Sequence, residues 1–158
     1  MDERNVLLDW VRRYAERVFN LGQGTPEKWI VRAEADLGIE FPDSYRWFMK
    51  NLSGGEVFGD AVFAVYSEEL SPINYDDVRN AYRRRLERGD ISENELPVLS
   101  TDQAEHFVLD LSSRNAGGDC SVCLRRGLSE PEYYAPNFVQ FLIRFTREGD
   151  PLIQKEWE

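Results

Sequence analysis

Val6, Leu7, Trp10, Val11, Tyr14 and Val18 recur at three- and four-residue intervals, with Arg12, Arg13 and Glu16 between them. That period predicts an amphipathic helix over the first twenty residues, ended by Gly22 and Gly24. Thr25 suits an N-cap and Pro26 a first helical turn, so a second helix is expected to about Leu37, burying Ile30, Ala33 and Leu37 and stopping at Gly38. Pro42 opens a third helix, in which Tyr45, Phe48, Met49 and Leu52 share one face, and Ser53-Gly54-Gly55 breaks it.

Past Gly55 the period changes. Val57-Phe58 and the run Ala61 to Tyr66 flank Gly59-Asp60 and predict a hairpin. Helical spacing returns from about Tyr75 to Arg88, with Val78, Tyr82 and Leu86 marking a buried stripe. Further strands are expected at Leu96 to Leu99, His106 to Leu111, Cys120 to Arg125 and Glu132 to Tyr134, with Ser112 to Asp119 as a connection. A closing helix at about Asn137 to Arg147 buries Phe138, Phe141, Leu142 and Phe145. Helices first, then a mostly antiparallel sheet and a last helix, make an α+β chain of one domain over residues 1–158, with helices packed against the sheet.

Composition sharpens this picture. A chain of 158 residues can bury roughly 68–70% of its unfolded surface, and 42% hydrophobic residues supply a core despite a formal net charge of −10. With 29 acidic against 19 basic side chains, direct nucleic-acid binding is disfavoured and a basic protein partner is favoured, plain solubility being the alternative. The start MDERNVLLDWVRR lacks a signal-peptide pattern, and no apolar run approaches the ~20 residues that span a bilayer, so a soluble, cytoplasmic protein without membrane contact is expected. Cys120 and Cys123 are the only cysteines, which leaves no disulfide framework.

Candidate chemistry is sparse. Cys120-x-x-Cys123 and His106, the single histidine, fall one ligand short of a structural zinc site, and on a strand the two cysteines point to opposite faces. His106 could act as a general base with Asp102 or Asp110 as orienter, which would make the chain a hydrolase; a strand-edge histidine is the plainer reading. No nucleophile elbow, phosphate loop, dinucleotide fingerprint or metalloprotease motif occurs. The acid pairs Glu68-Glu69 and Asp76-Asp77 could bind a divalent cation, but read better as a solvated face. Arg79, Arg83, Arg84, Arg85 and Arg88 read as a solvated helix face that complements the helix dipole, with a docking stripe for an acidic partner as the alternative. No catalytic residue, cofactor site or metal ligand is assigned.

One stretch carries a family resemblance. Ile30 to Glu34 followed by LGIEFPDSYRWFMKNLSGG resembles the SUKH superfamily pattern of a helix, L-G-hydrophobic-x-hydrophobic-P, x-x-Y-x-x-F and a closing G-G. ELPVLSTDQAEHFVLDL and YYAPNFVQFLIRF resemble its later strand pair and final helix, so the likeness runs from about Pro26 to Phe145. Leu37, Gly38, Pro42, Tyr45, Phe48, Gly54, Gly55, Leu96, Pro97, Asp110, Ala135, Phe138, Phe141 and Leu142 are the matching positions. The resemblance implies a non-enzymatic, cofactor-free binding protein: an immunity protein that neutralises a cognate secreted toxin, such as a basic one or a nuclease, or a Smi/Knr-type regulator or scaffold with several host partners. On the immunity reading, the expected contact residues are Glu40, Asp43, Gly54, Gly55, Glu56, Asp60, Glu68 and Glu69.

Overall fold

The computed structural model of the chain describes residues 2–67, 74–127 and 129–158. Asp2 accepts the Arg4 N–H and starts α1 (Glu3–Arg13), while Pro26 and Pro42 precede α2 (Glu27–Leu37) and α3 (Asp43–Asn51). Gly38 closes α2 in the left-handed region at φ 67°, a conformation that costs glycine little.

Two local expectations differ from the structure. The first helix ends at Arg13, Glu16 takes φ 69°, and Phe19–Leu21 is instead a strand, β1. The apolar spacing runs on past the helix because the returning strand must also bury Val18 and Phe19. Nor does Thr25 cap α2. Its hydroxyl lies buried 2.9 Å from Ser53 Oγ and 3.1 Å from the Val65 carbonyl, tying the entry of α2 to the exit of α3.

The sheet is a seven-stranded antiparallel meander in chain order: β1, β2 (Gly55–Val57), β3 (Asp60–Val62), β4 (Glu95–Ser100), β5 (Glu105–Asp110), β6 (Val122–Arg126) and β7 (Glu132–Ala135). Between β3 and β4 the chain forms α4 (Val78–Arg88), which packs against β4, and after β7 come α5 (Phe138–Gly149) and α6 (Pro151–Trp157). The sequence pattern did not show α6. It is short and buries only Ile153, and it starts because the Asp150 carboxylate accepts the Leu152 and Ile153 N–H groups. The sixth strand begins at Val122, so Cys120 precedes it.

Aromatic rings join helices to sheet. Phe138 of α5 meets Tyr45 and Phe48 of α3 at 5.0 and 4.8 Å, and Phe107 of β5 meets Phe141 and Phe145 at 5.0 and 5.4 Å. Truncating such a fully buried ring, as in Phe138→Ala, should cost about 3–5 kcal/mol. α5 also touches α1, α6 and β7, which makes it the hub of the helical layer.

The face that α4 buries is not the one expected. Val78, Arg79, Ala81 and Arg85 are buried and Tyr82 half-buried, while Leu86 is 38% exposed. The Arg85 stem and guanidinium occupy the inward position, with the guanidinium carbon 4.6 Å from the centroid of the Phe63 ring, so the helix turns Leu86 outward. Arg79 and Arg85 therefore do not belong to a solvated face.

The antiparallel order fixes which loops share an end. Pairing of Val62 with Leu99 sets the β2–β3 turn beside the β4–β5 turn, and the β5–β6 connection falls at the opposite end of the sheet.

Candidate functional site

The residues expected to meet a partner divide between those two ends. Exposed Glu56 stands in the middle of β2 opposite Ala61, and half-buried Asp60 opens β3. Burial raises the Asp60 carboxyl above the ordinary range, and Asp102, Glu105 and Glu56 push it further in the same direction. The fold thus adds Asp102, from the β4–β5 turn, and Glu105, which opens β5, to the predicted pair. They are missing from the sequence-based set because α4 and the flanking chain separate β3 from β4, and only the sheet register brings them to Asp60. Arg126 neutralises Glu105 at 3.0 Å, but among the described residues Glu56, Asp60 and Asp102 have no ion-pair partner.

Glu40 and Asp43 sit at the other end. Arg114 donates to the Glu40 carbonyl, the Asp43 N–H donates to the Gly118 carbonyl at 3.0 Å, and the Asp43 carboxylate pairs with Arg4 at 2.7 Å. Ser44 is tied to the same β5–β6 connection through Asp119, which accepts its N–H and hydroxyl. Gly54 and Gly55 have packing roles: a Cβ on Gly54 would strike the Tyr66 hydroxyl, and one on Gly55 would strike the Asn20 carbonyl across the β1–β2 pair. Glu68 and Glu69 lie outside the described residues.

Beside the acidic end stands a basic exception. Ser100 and His106, paired across β4 and β5, bracket the turn that carries Asp102 and Glu105. Ser100 Oγ lies 2.8 Å from His106 Nδ1 and accepts from Arg85 at 3.1 Å, so it links the helix to the strand. Burial, then the Arg85 charge, lowers the His106 pKa below its usual 6.5. Burial also lowers Arg85, to about 10, with Arg84 and Arg88 adding to the effect. Neither Asp102 nor Asp110 hydrogen-bonds to His106; the Asp110 carboxylate instead accepts from Ser112.

Cys120 is buried and Cys123 half-buried, both thiols are free, and burial pushes both above the usual range, away from the reactive thiolate. Among the described residues no three His, Cys, Asp or Glu side chains come together as a metal-binding group. No helix of the described residues is long and apolar enough to cross a membrane.

The architecture has a solved counterpart. A crystal structure of a protein from Pseudomonas syringae pv. tomato aligns with a TM-score of 0.63 over 82% of this chain and 89% of that one, at 15% sequence identity, which establishes a shared fold. At the level of sequence, residues 24–144 match the SMI1 / KNR4 family (SUKH-1), a span running from the entry of α2 into α5 and leaving α1, β1 and α6 outside. With most of its length inside that match, the chain belongs to the SMI1 / KNR4 (SUKH-1) family.

Proposed function

We propose that the chain is a cytoplasmic, non-enzymatic immunity protein that binds and neutralises a cognate secreted toxin with a basic contact surface, such as a nuclease. The observation that carries this reading is the acidic end of the sheet. Glu56, Asp60 and Asp102 converge there without counter-ions among the described residues, and the Asp60 carboxyl already feels the crowding of like charge. A basic partner would relieve that repulsion, and a chain of net charge −10 would draw it in by long-range attraction. Membership in a family associated with protein–protein interaction supports the same conclusion.

The test is co-expression with the C-terminal domain of any large secreted protein encoded beside this chain, reading cell survival and co-purification. Rescue with a stable complex is the expected result. Within that complex, the triple change Glu56→Lys, Asp60→Lys and Asp102→Lys should slow association at least tenfold and flatten its salt dependence. Equal association rates before and after reversal would remove this end of the sheet from the interface.

The separation of the two acidic ends favours a second reading, a Smi/Knr-type scaffold on which the Glu40/Asp43 end and the Glu56/Asp60 end hold different partners. Proteome-wide capture on the full chain that recovers several partners, released independently by Glu40→Lys/Asp43→Lys and by the triple change, would favour it over immunity.

A further inference from the structure

Among the described residues five charged side chains are buried: Asp77, Arg79, Arg85, Glu95 and Asp150. Four of them have a charged partner, since Arg79 pairs with Asp77 at 2.9 Å, Glu95 with Arg125 at 2.7 Å and Asp150 with Arg17 at 2.5 Å. Arg85 is the exception. It is 8% exposed, donates only to the Ala81 carbonyl at 3.4 Å and Ser100 Oγ at 3.1 Å, and its Nε finds no acceptor. Guanidinium carries five N–H donors and strongly favours a carboxylate, so this site holds both uncompensated charge and unused donors.

Its surroundings do not neutralise it. Arg84 and Arg88 add positive charge from the same helix; Asp90 and Asp76 oppose it more weakly and neither bonds to Arg85, Asp90 being engaged by Arg88 at 3.4 Å; and Arg125, opposite His106 on β6, is held by Glu95. Ser100 and His106 are half-buried, so the strand side of the cluster reaches the surface. Along the chain the cluster adjoins the acidic end, since Asp102 lies in the connection after Ser100 and Glu105 directly precedes His106.

We infer that Arg85, Ser100 and His106 form a socket for one carboxylate, supplied by an Asp or Glu side chain of the protein that docks on the acidic end of the sheet. This rests on the reading that a basic partner meets that end. The chemistry then becomes a pattern: basic groups on the partner face Glu56, Asp60 and Asp102, and a single acid enters at Arg85. A uniformly basic surface would leave Arg85 buried and unpaired, which disfavours wrong partners and wrong registers.

His106 is the only histidine, so its ring protons report on the socket directly. The pKa of His106 is measured by proton NMR on the full chain in sodium chloride, sodium acetate and sodium phosphate at matched ionic strength. Acetate should raise it by about half a pH unit or more relative to chloride, because a bound carboxylate offsets the Arg85 charge and favours the imidazolium. In Arg85→Met the acetate and chloride values should coincide, and in Ser100→Ala, which keeps the charge but removes the bridge, the gap should shrink. Identical values in acetate and chloride for the parent chain would overturn the socket, whatever partner is found. A larger rise in phosphate than in acetate would overturn the carboxylate assignment. An acetate effect without rescue or complex in co-expression would leave the socket standing and discard the immunity reading.

Discussion

Arg79 and Arg85 both lie on α4, six residues apart, and are almost equally buried, yet the fold treats them differently. Arg79 is saturated: its Nε and one terminal nitrogen grip Asp77 at 3.0 and 2.9 Å, the other reaches Asp36 at 2.9 Å, and the Tyr66 carbonyl adds a weaker contact. Asp77 also caps the helix and accepts the Tyr66 N–H, so this cluster locks α4 to the chain leaving β3. Arg85 has a ring beneath it and a hydroxyl beside it, but no counter-ion. One arginine closes the structure; the other leaves an interaction unmade. Buried charge is therefore informative only once its partners are known.

Removing the saturated pair's acid should have the largest effect. Asp77→Ala deletes a helix cap and removes the bidentate, buried counter-ion of Arg79, so urea unfolding should show a loss of about 3–5 kcal/mol. A loss below about 1 kcal/mol would mean that the other partners of Arg79, Asp36 among them, hold it without Asp77 and would erase the contrast between the two arginines.

Arg85→Met should behave oppositely. Burial depresses the Arg85 pKa to about 10 from 12.5, so the ionised side chain opposes folding at every pH below 10, and that penalty fades as the pH rises towards 12.5. Methionine retains much of the packing on Phe63 without the charge, so stability at neutral pH should stay within about 1 kcal/mol of the parent or exceed it. A loss comparable with that of Asp77→Ala would show that Arg85 is a structural clamp.

A smaller effect concerns pH. With its folded pKa below 6.5, His106 is held neutral, so its contribution to stability is present above 6.5 and is lost as the pH falls from 6.5 through the folded value. In Arg85→Met the NMR pKa of His106 should move back towards 6.5 without reaching it, because burial is the larger cause and remains. No movement would place Arg85 outside the electrostatic reach of the ring.

Asp60→Asn should have the smallest effect. A raised carboxyl pKa favours the neutral form, so the cost of ionising Asp60 grows as the pH rises from 3.8 to its folded value and is fully present above it, and the amide should stabilise the chain at pH 7 by no more than about 0.5 kcal/mol. Thermal melts would check the sign, and a clear loss would mean that the Asp60 carboxylate makes a favourable contact.

Helix starts and stops were legible in the sequence because proline, glycine and apolar spacing act within a few residues. Pro26, Gly38, Pro42 and Gly89 mark boundaries that the folded chain uses. The aromatic stripe Phe138, Phe141, Leu142 and Phe145 likewise anticipated the hub helix α5, since one strongly amphipathic face has few ways to be buried. Local reasoning failed where two elements share one apolar rhythm, as at Val18 and Phe19, and where a long polar stem takes a core position, as at Arg85.

The sequence by itself determined the α+β order, the family and the negative charge, because patterning, punctuation and composition are properties of the chain. Tertiary structure decided which charges meet. Register between β3 and β4 gathers Asp60 with Asp102 and Glu105, contacts with the β5–β6 connection hold Glu40 and Asp43 at the far end, and the packing of α4 pairs Arg79 while leaving Arg85 without a counter-ion among the described residues. Such juxtapositions depend on distances across the fold, and electrostatic energy follows those distances rather than separation along the chain.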